Sequence, residues 1–204
     1  MTIAEKLTQI AENQQVVYDA GFSDGLAQGS GSGEVDGYYD TFWDAYQQNG
    51  NRSNHTYAFA GLGWNNNTYN PKYTITGVIG NAFRDSKMTN TLVDIVATGN
   101  ATNAFYNSSV VEITSLDISG VTSTGNMFNG CSKLERITFV GEIKLSIDLH
   151  YSSSLSNTSV QSIIDHLTDL TGTTSQTLTL NAAVIANMTT TQTAAIAAKN
   201  WNLA

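Results

Sequence analysis

An α/β repeat fold, a short solenoid of strands and turns closed by helical segments, is predicted by three observations. A heptapeptide recurs as Asn81-Ala82-Phe83-Arg84-Asp85-Ser86-Lys87, Asn103-Ala104-Phe105-Tyr106-Asn107-Ser108-Ser109 and Asn126-Met127-Phe128-Asn129-Gly130-Cys131-Ser132. Its phenylalanines stand 22 and then 23 residues apart, a period at which one strand and one return segment make a coil. Ahead of the second and third copies lie alternating apolar pairs, Val93 with Ile95 and Leu116 with Ile118, as a half-buried strand requires. Solenoids present long surfaces and rarely enclose a catalytic pocket, which turns the functional question toward binding.

Residues 1–20 read as a helix opened by the capping-box pair Thr2 and Glu5. Within it Ile3, Leu7, Ile10, Gln14 and Val17 fall at intervals of 4, 3, 4 and 3, the spacing of a coiled-coil seam. So narrow an apolar stripe is marginal alone in water, so the helix is expected to self-associate or to dock on another protein as an anchor. The alternative is a helix folded back onto the repeat body. Gln14 weakens the seam, since asparagine is the polar residue that best fixes register.

Residues 21–33 carry Gly21, Gly25, Gly29, Gly31 and Gly33 among serines and small polar residues, the composition of a flexible tether. No Lys-Ser or Lys-Thr pair makes these glycines a phosphate-binding loop. Residues 34–72 form an aromatic segment. Tyr39, Phe42, Trp43 and Tyr46 recur at helical spacing and are expected to cap the open end of the first coil. In the irregular stretch that follows, Trp64 and Tyr69 are the candidates for ligand contact, because aromatic faces beside amides stack on sugars; they could equally pack the loop onto the cap.

Residues 73–180 hold the repeats. Phe83, Phe105 and Phe128 are assigned to the core, and Tyr151 joins them because Phe139 precedes it by the twelve residues that separate Leu116 from Phe128. Gly141 then takes the second strand position of that coil. The Asn, Asp and Ser residues are expected to satisfy backbone groups in turns without ladder partners. Beyond Ser159, the residues Val160, Ile163, Ile164, Leu167 and Leu170 keep helical spacing up to Gly172. A strand with Leu178 and Leu180 follows. Residues 181–204 are read as a C-terminal cap with an alanine-rich helix over 194–199 and a last segment carrying Trp201 and Leu203, leaving no room for a further domain.

The runs Ala104-Phe105-Tyr106-Asn107-Ser108-Ser109-Val110-Val111-Glu112-Ile113 and Met127-Phe128-Asn129-Gly130-Cys131-Ser132-Lys133-Leu134-Glu135-Arg136-Ile137 resemble the BspA-type leucine-rich repeat, whose units carry an aromatic, a Cys-Ser or similar pair and then Leu-x-x-Ile. The resemblance covers residues 73 to 180 and departs in the first coil, where Met88 stands near the expected leucine. It implies a leucine-rich-repeat solenoid. The C-terminal ending, the opening Thr2-Ile3-Ala4-Glu5-Lys6-Leu7 and the segment from Tyr39 to Gly50 resemble small leucine-rich-repeat proteins encoded by phages and prophages of gut Firmicutes.

Composition narrows the function. Charged residues make up only 13% and the net charge is −8, with nine scattered basic residues, so nucleic-acid binding is not expected. A neutral polar surface suits an extracellular or virion protein better than a cytosolic enzyme. Cys131 is alone and stands where the other repeats have Ser86 and Ser108, so it reads as a small packing residue. His55, His150 and His166 lack metal-ligand spacing and read as turn or surface residues. Asp36, Asp40 and Asp44 form the solvated face of the aromatic helix. No catalytic residue, cofactor or metal is expected.

No apolar run reaches the 18 or more residues of a membrane span, and the N-terminus lacks the pattern of a signal peptide. A virion reconciles a surface-type repeat with the lack of an export signal, because assembly takes place in the cytoplasm and lysis releases the product. The expected protein is therefore a non-enzymatic phage virion component. Its N-terminal helix would bind other virion proteins or form a homo-oligomer, with a trimer matching common phage symmetry, and its repeat head would bind a bacterial surface glycan or protein. The alternative is an adhesion or interaction module on the bacterial cell surface.

Overall fold

The computed structural model describes residues 55, 60, 74–87 and 94–204. Strands β1 (Ile75–Gly77), β2 (Ile95–Asn100), β3 (Glu112–Ser123) and β4 (Arg136–Phe139) form one parallel sheet in sequence order. A second parallel sheet holds β5 (Ile147–Leu149), β6 (Gln176–Leu180) and β7 (Trp201–Leu203), again in sequence order. Helix α1 (Asn157–His166) connects β5 to β6, and α2 (Ala182–Ala186) and α3 (Thr190–Ala198) connect β6 to β7.

Each phenylalanine turn is short because its backbone alternates between two kinds of partner. Asn81, Phe83 and Asp85 donate their N–H groups to Thr102, Ala104 and Tyr106 of the next repeat, at 2.9, 2.7 and 2.8 Å. The intervening Ala82, Arg84 and Ser86 donate three residues back within the turn, to Ile79, Asn81 and Phe83. Asn103, Phe105 and Asn107 repeat the pattern onto Gly125, Met127 and Asn129. The turns were expected to lack ladder partners; instead the ladder runs through them, and every other N–H faces the neighbouring repeat.

This alternation explains the asparagines. Asn81, Asn103 and Asn126 all lie in the left-handed region, with φ of 56, 55 and 53°. Asp85, Asn107 and Gly130 occupy a second left-handed position, with φ of 56, 52 and 79°. Asn, Asp and Gly are the residues that tolerate this conformation, which costs other side chains roughly 1–2 kcal/mol. The side chains also bond from repeat to repeat, Asn103 Nδ2 to Asn81 Oδ1 at 3.3 Å and Asn107 Nδ2 to Asp85 Oδ1 at 2.8 Å.

Inside, Phe83, Phe105 and Phe128 are buried and stack nearly parallel, with ring centroids 5.0 and 5.4 Å apart. Two register shifts in the β2–β3 pair set this alignment. Ile95 lies beside Leu116, not beside Ile118 as counting back from the phenylalanines implied, and Val93 falls outside the described residues. The offset then grows through Thr98↔Gly120 to Asn100↔Ser123, and each bulge adds one residue to β3.

Tyr151 does not belong to the core. Its side chain is 44% exposed, and Leu149, at 1%, takes the place assigned to it. The hydrogen bonds show why. Ser86, Ser108, Cys131 and Ser152 each donate a backbone N–H three residues back, to Phe83, Phe105, Phe128 and Leu149. The Ser152 hydroxyl reaches the Cys131 carbonyl across 21 residues, so this turn is shorter than the two before it and the tyrosine is carried past the interior. Gly141 likewise lies beyond β4, which ends at Phe139.

At β4 the first sheet stops. The hydroxyls of Ser159 and Ser162 on α1 accept the N–H groups of Ile137 and Phe139 at 2.9 and 3.0 Å, so helix side chains satisfy a strand edge. The helix starts earlier than Ser159. Ser156 is the N-cap, accepting the Ser159 N–H at 3.2 Å. It also ends at His166, ahead of Leu170, and Lys199 Nζ donates to the carbonyls of Ile164, Asp165 and Leu167 at its C-terminal end. Past residue 180 the parallel ladder continues, since β7 pairs with β6 over Gln176↔Trp201 to Leu178↔Leu203. Thr189 and Gln192 form a capping box on α3.

Candidate binding face

The chain's single thiol lies inside. Cys131 is fully buried, and its thiol donates to the Phe105 carbonyl at 2.9 Å. Burial pushes the thiol up to about 12, against a smaller lowering by a backbone bond involving Ser108, so it stays protonated at neutral pH. It is the buried packing residue that its place in the repeat implied. Ser86, Ser108 and Ser152 are buried in the same row.

Outward-facing strand positions make one surface. In register, Val96 lies between Thr76 on β1 and Asp117 on β3, and Thr98 lies beside Gly120. Thr76 and Thr98 are exposed, as are Thr114, Thr138 and Val140 farther along the sheet, with Val140 at 54%. Asp117 Oδ1 accepts the Ser119 N–H at 2.8 Å, and a side chain at Gly141 would collide with the Asp117 carboxylate. Gly141 therefore leaves room for an acidic group beside the exposed valine. At the edge of this face Arg136 pairs with Glu112 at 2.9 Å and Glu135 at 3.4 Å. The Glu112 carboxylate holds the guanidinium above its ordinary range.

The phenylalanine turns make a second surface, a ridge along the repeats. The residue after each interior slot is Arg84, Tyr106, Asn129 and then His150, and the next is Asp85, Asn107, Gly130 and Tyr151. Arg84 lies over the Tyr106 ring, 5.1 Å from its centroid, while its Nε meets Asp85 at 3.1 Å. At the other end His150 Nδ1 is 2.6 Å from Asp148 Oδ1, and the His150 and Tyr151 ring centroids are 3.8 Å apart. Asn181 Nδ2 donates to the His150 carbonyl at 2.6 Å and ties this turn to the segment after β6. Gly130 suits its left-handed position, and a Cβ there would come 3.1 Å from the Asn107 backbone, which would have to give way.

Of the residues singled out in the sequence, Phe83, Phe105 and Phe128 are interior and Tyr151 is on this ridge. Trp64 and Tyr69, and the seam positions Ile3, Leu7, Ile10, Gln14 and Val17, lie outside the described residues. His55 is a correction: it is 4% exposed, not a surface residue. Its N–H donates to the Val78 carbonyl at 2.7 Å, and its Nε2 lies 3.1 Å from the Thr76 carbonyl, which can only accept, so that nitrogen carries the proton. The ridge itself was missed, although the two residues following each Asn-x-Phe marked it.

Among the described residues no group of three or more His, Cys, Asp or Glu could hold a metal, and no helix is long and apolar enough to cross a membrane. An open cleft of about 320 Å³ lies between the start of α1 and α2, lined by Ser153, Leu155, Asn157, Val160, Val184 and Asn187. No protein-family model, curated protein or solved structure matches the chain.

Proposed function

We propose that this chain is a non-enzymatic phage virion protein whose leucine-rich-repeat solenoid is displayed as a head that binds the bacterial surface. The observation that carries this reading is the division between interior and exterior. The stacked rings and the thiol point inward, while successive repeats offer Thr76, Thr98, Thr114 and Thr138 on the strands, and Asp85, Asn107 and Tyr151 on the turns, to solvent. Such rows suit recognition over an extended area better than a reaction at one point. The seam of Ile3, Leu7, Ile10, Gln14 and Val17 would attach the head to the particle or to copies of itself, and residues 21–33 would tether it.

Copurification decides the setting. The chain is expected in intact, density-purified particles, and its absence from them refutes the virion assignment. A fluorescently labelled full chain is expected to bind whole bacteria of the host strain; lack of binding removes the recognition role. Comparing the solution size of the full chain with that of a chain starting at Glu34 tests the anchor. The full chain should be the larger oligomer, and two monomers would leave only docking on another protein.

A further inference from the structure

We propose that the turn ridge running through Tyr106, Asn129, His150 and Tyr151 is a binding track for an extended, uncharged β-linked glycan. This deepens the surface-recognition reading above and rests on it. The first three turns advance evenly: the stacked rings beneath them are 5.0 and 5.4 Å apart, and the N–H groups of Asp85 and Asn107 bond to Tyr106 and Asn129 of the next repeats. The Ser152 hydroxyl on the Cys131 carbonyl joins the shorter His150 turn to the third one. That advance is close to the length of one sugar in an extended β-linked pyranose chain, so successive sugars would meet successive turns.

The side chains along the line fit such a ligand. Tyr151 supplies an exposed ring, Tyr106 a half-buried one with Arg84 over one face, and Asn129 between them an amide that can both donate and accept. Tyr151 has no interior role, since Leu149 fills the core slot, yet it is one of the most exposed large apolar side chains in the described structure. Its ring is braced by His150, which is held in turn by Asp148 at 2.6 Å. A platform fixed before the ligand arrives loses little freedom on binding. The net charge of −8, with Arg84 already paired to Asp85, argues against an anionic polymer.

The test uses the full chain and chito-oligosaccharides, β-1,4-linked N-acetylglucosamine from the disaccharide to the hexasaccharide, in titration calorimetry. Affinity should climb with length and level off once the ligand spans the ridge. Tyr151→Ala should weaken hexasaccharide binding roughly tenfold without shifting the unfolding midpoint, and Tyr151→Trp should restore it. No binding, binding independent of length, or a Tyr151→Ala protein that binds as tightly as the wild type overturns the proposal. A parallel whole-cell assay separates the two readings. If the wild type and Tyr151→Ala bind bacteria equally, the ridge is not the recognition site while surface recognition stands. If the oligosaccharides bind and the cells do not, the track stands and the surface role falls.

Discussion

Asn103 offers a test in which the usual ranking of glycine and alanine is reversed. Its backbone has φ of 55°, its N–H donates to the Gly125 carbonyl at 2.9 Å, and its Nδ2 donates to Asn81 at 3.3 Å. Asn103→Gly keeps the backbone bonds and loses the side-chain bond, worth about 0.5–1 kcal/mol at so long a distance. Greater freedom of the unfolded chain adds about 0.5–1 kcal/mol more. Asn103→Ala loses the same bond and must hold a Cβ in the left-handed region, at roughly 1–2 kcal/mol. Alanine is therefore expected to fall below glycine by about 0.5–1 kcal/mol, where in a helix it would lie above. Urea unfolding followed by far-ultraviolet circular dichroism should give midpoints in the order wild type, Gly, Ala, with unchanged slopes. Asn126 is the internal control, since it has φ of 53° and its side chain makes no hydrogen bond among the described residues. There the glycine variant should lose less than at position 103 while the alanine penalty persists. An alanine variant as stable as the glycine variant at both positions would refute the conformational account of the repeated asparagine.

Three further outcomes follow from the packing and the edges. Phe105→Ala removes the middle ring of the stack and should cost about 3–5 kcal/mol, seen as a large fall in the urea midpoint; a loss below about 1 kcal/mol would mean that the stack collapses freely around the gap. Ser159→Ala leaves the buried Ile137 N–H without its partner and should cost about 1–3 kcal/mol in the same assay, whereas Ser153→Ala, at an exposed position, should be near neutral. Cys131 makes stability fall in alkali. Its folded value of about 12 lies above the ordinary 9.0, so the folded state holds the proton longer, and the contribution is intact below 9 and lost progressively toward 12. Cys131→Ser should flatten that alkaline decline, and the native thiol should resist alkylation at pH 8 until the protein is unfolded.

Much of the strand-and-turn order was legible because left-handed positions and interior slots admit few residue types. Asn-x-Phe thus marked three turns, and the alternating residues before them marked β2 and β3. Register was not legible, because each bulge inserts a residue without a distinctive side chain, so counting back from Phe105 and Phe128 paired the wrong strand positions. Tyr151 is misplaced by the sequence for a related reason: it stands at the offset the repeats predict, while Leu149, two residues earlier, fills the slot, as the bonds of Ser152 to Leu149 and Cys131 reveal. The start of α1 was obscured by two serines at Ser156 and Ser159, of which one caps the helix and the other caps a strand. The ridge is not legible in the sequence because the heptapeptide's recurring residues mark the interior and the left-handed positions, while its exposed line is made by the residues that vary.

Because the first sheet is joined by bonds between equivalent atoms of adjacent turns, a whole turn and its strand can be duplicated or deleted without orphaning a backbone group elsewhere. Among the described residues, Ser159 and Ser162 are where an edge of that sheet depends on a helix, so they set a fixed stop while the number of turns before it is free to drift. A lineage under pressure to follow a changing target could lengthen or shorten the array by gene-level slippage of one repeat and alter the ridge residues one by one. The helical end would then be inherited as a constant part, and diversity would accumulate on the turns.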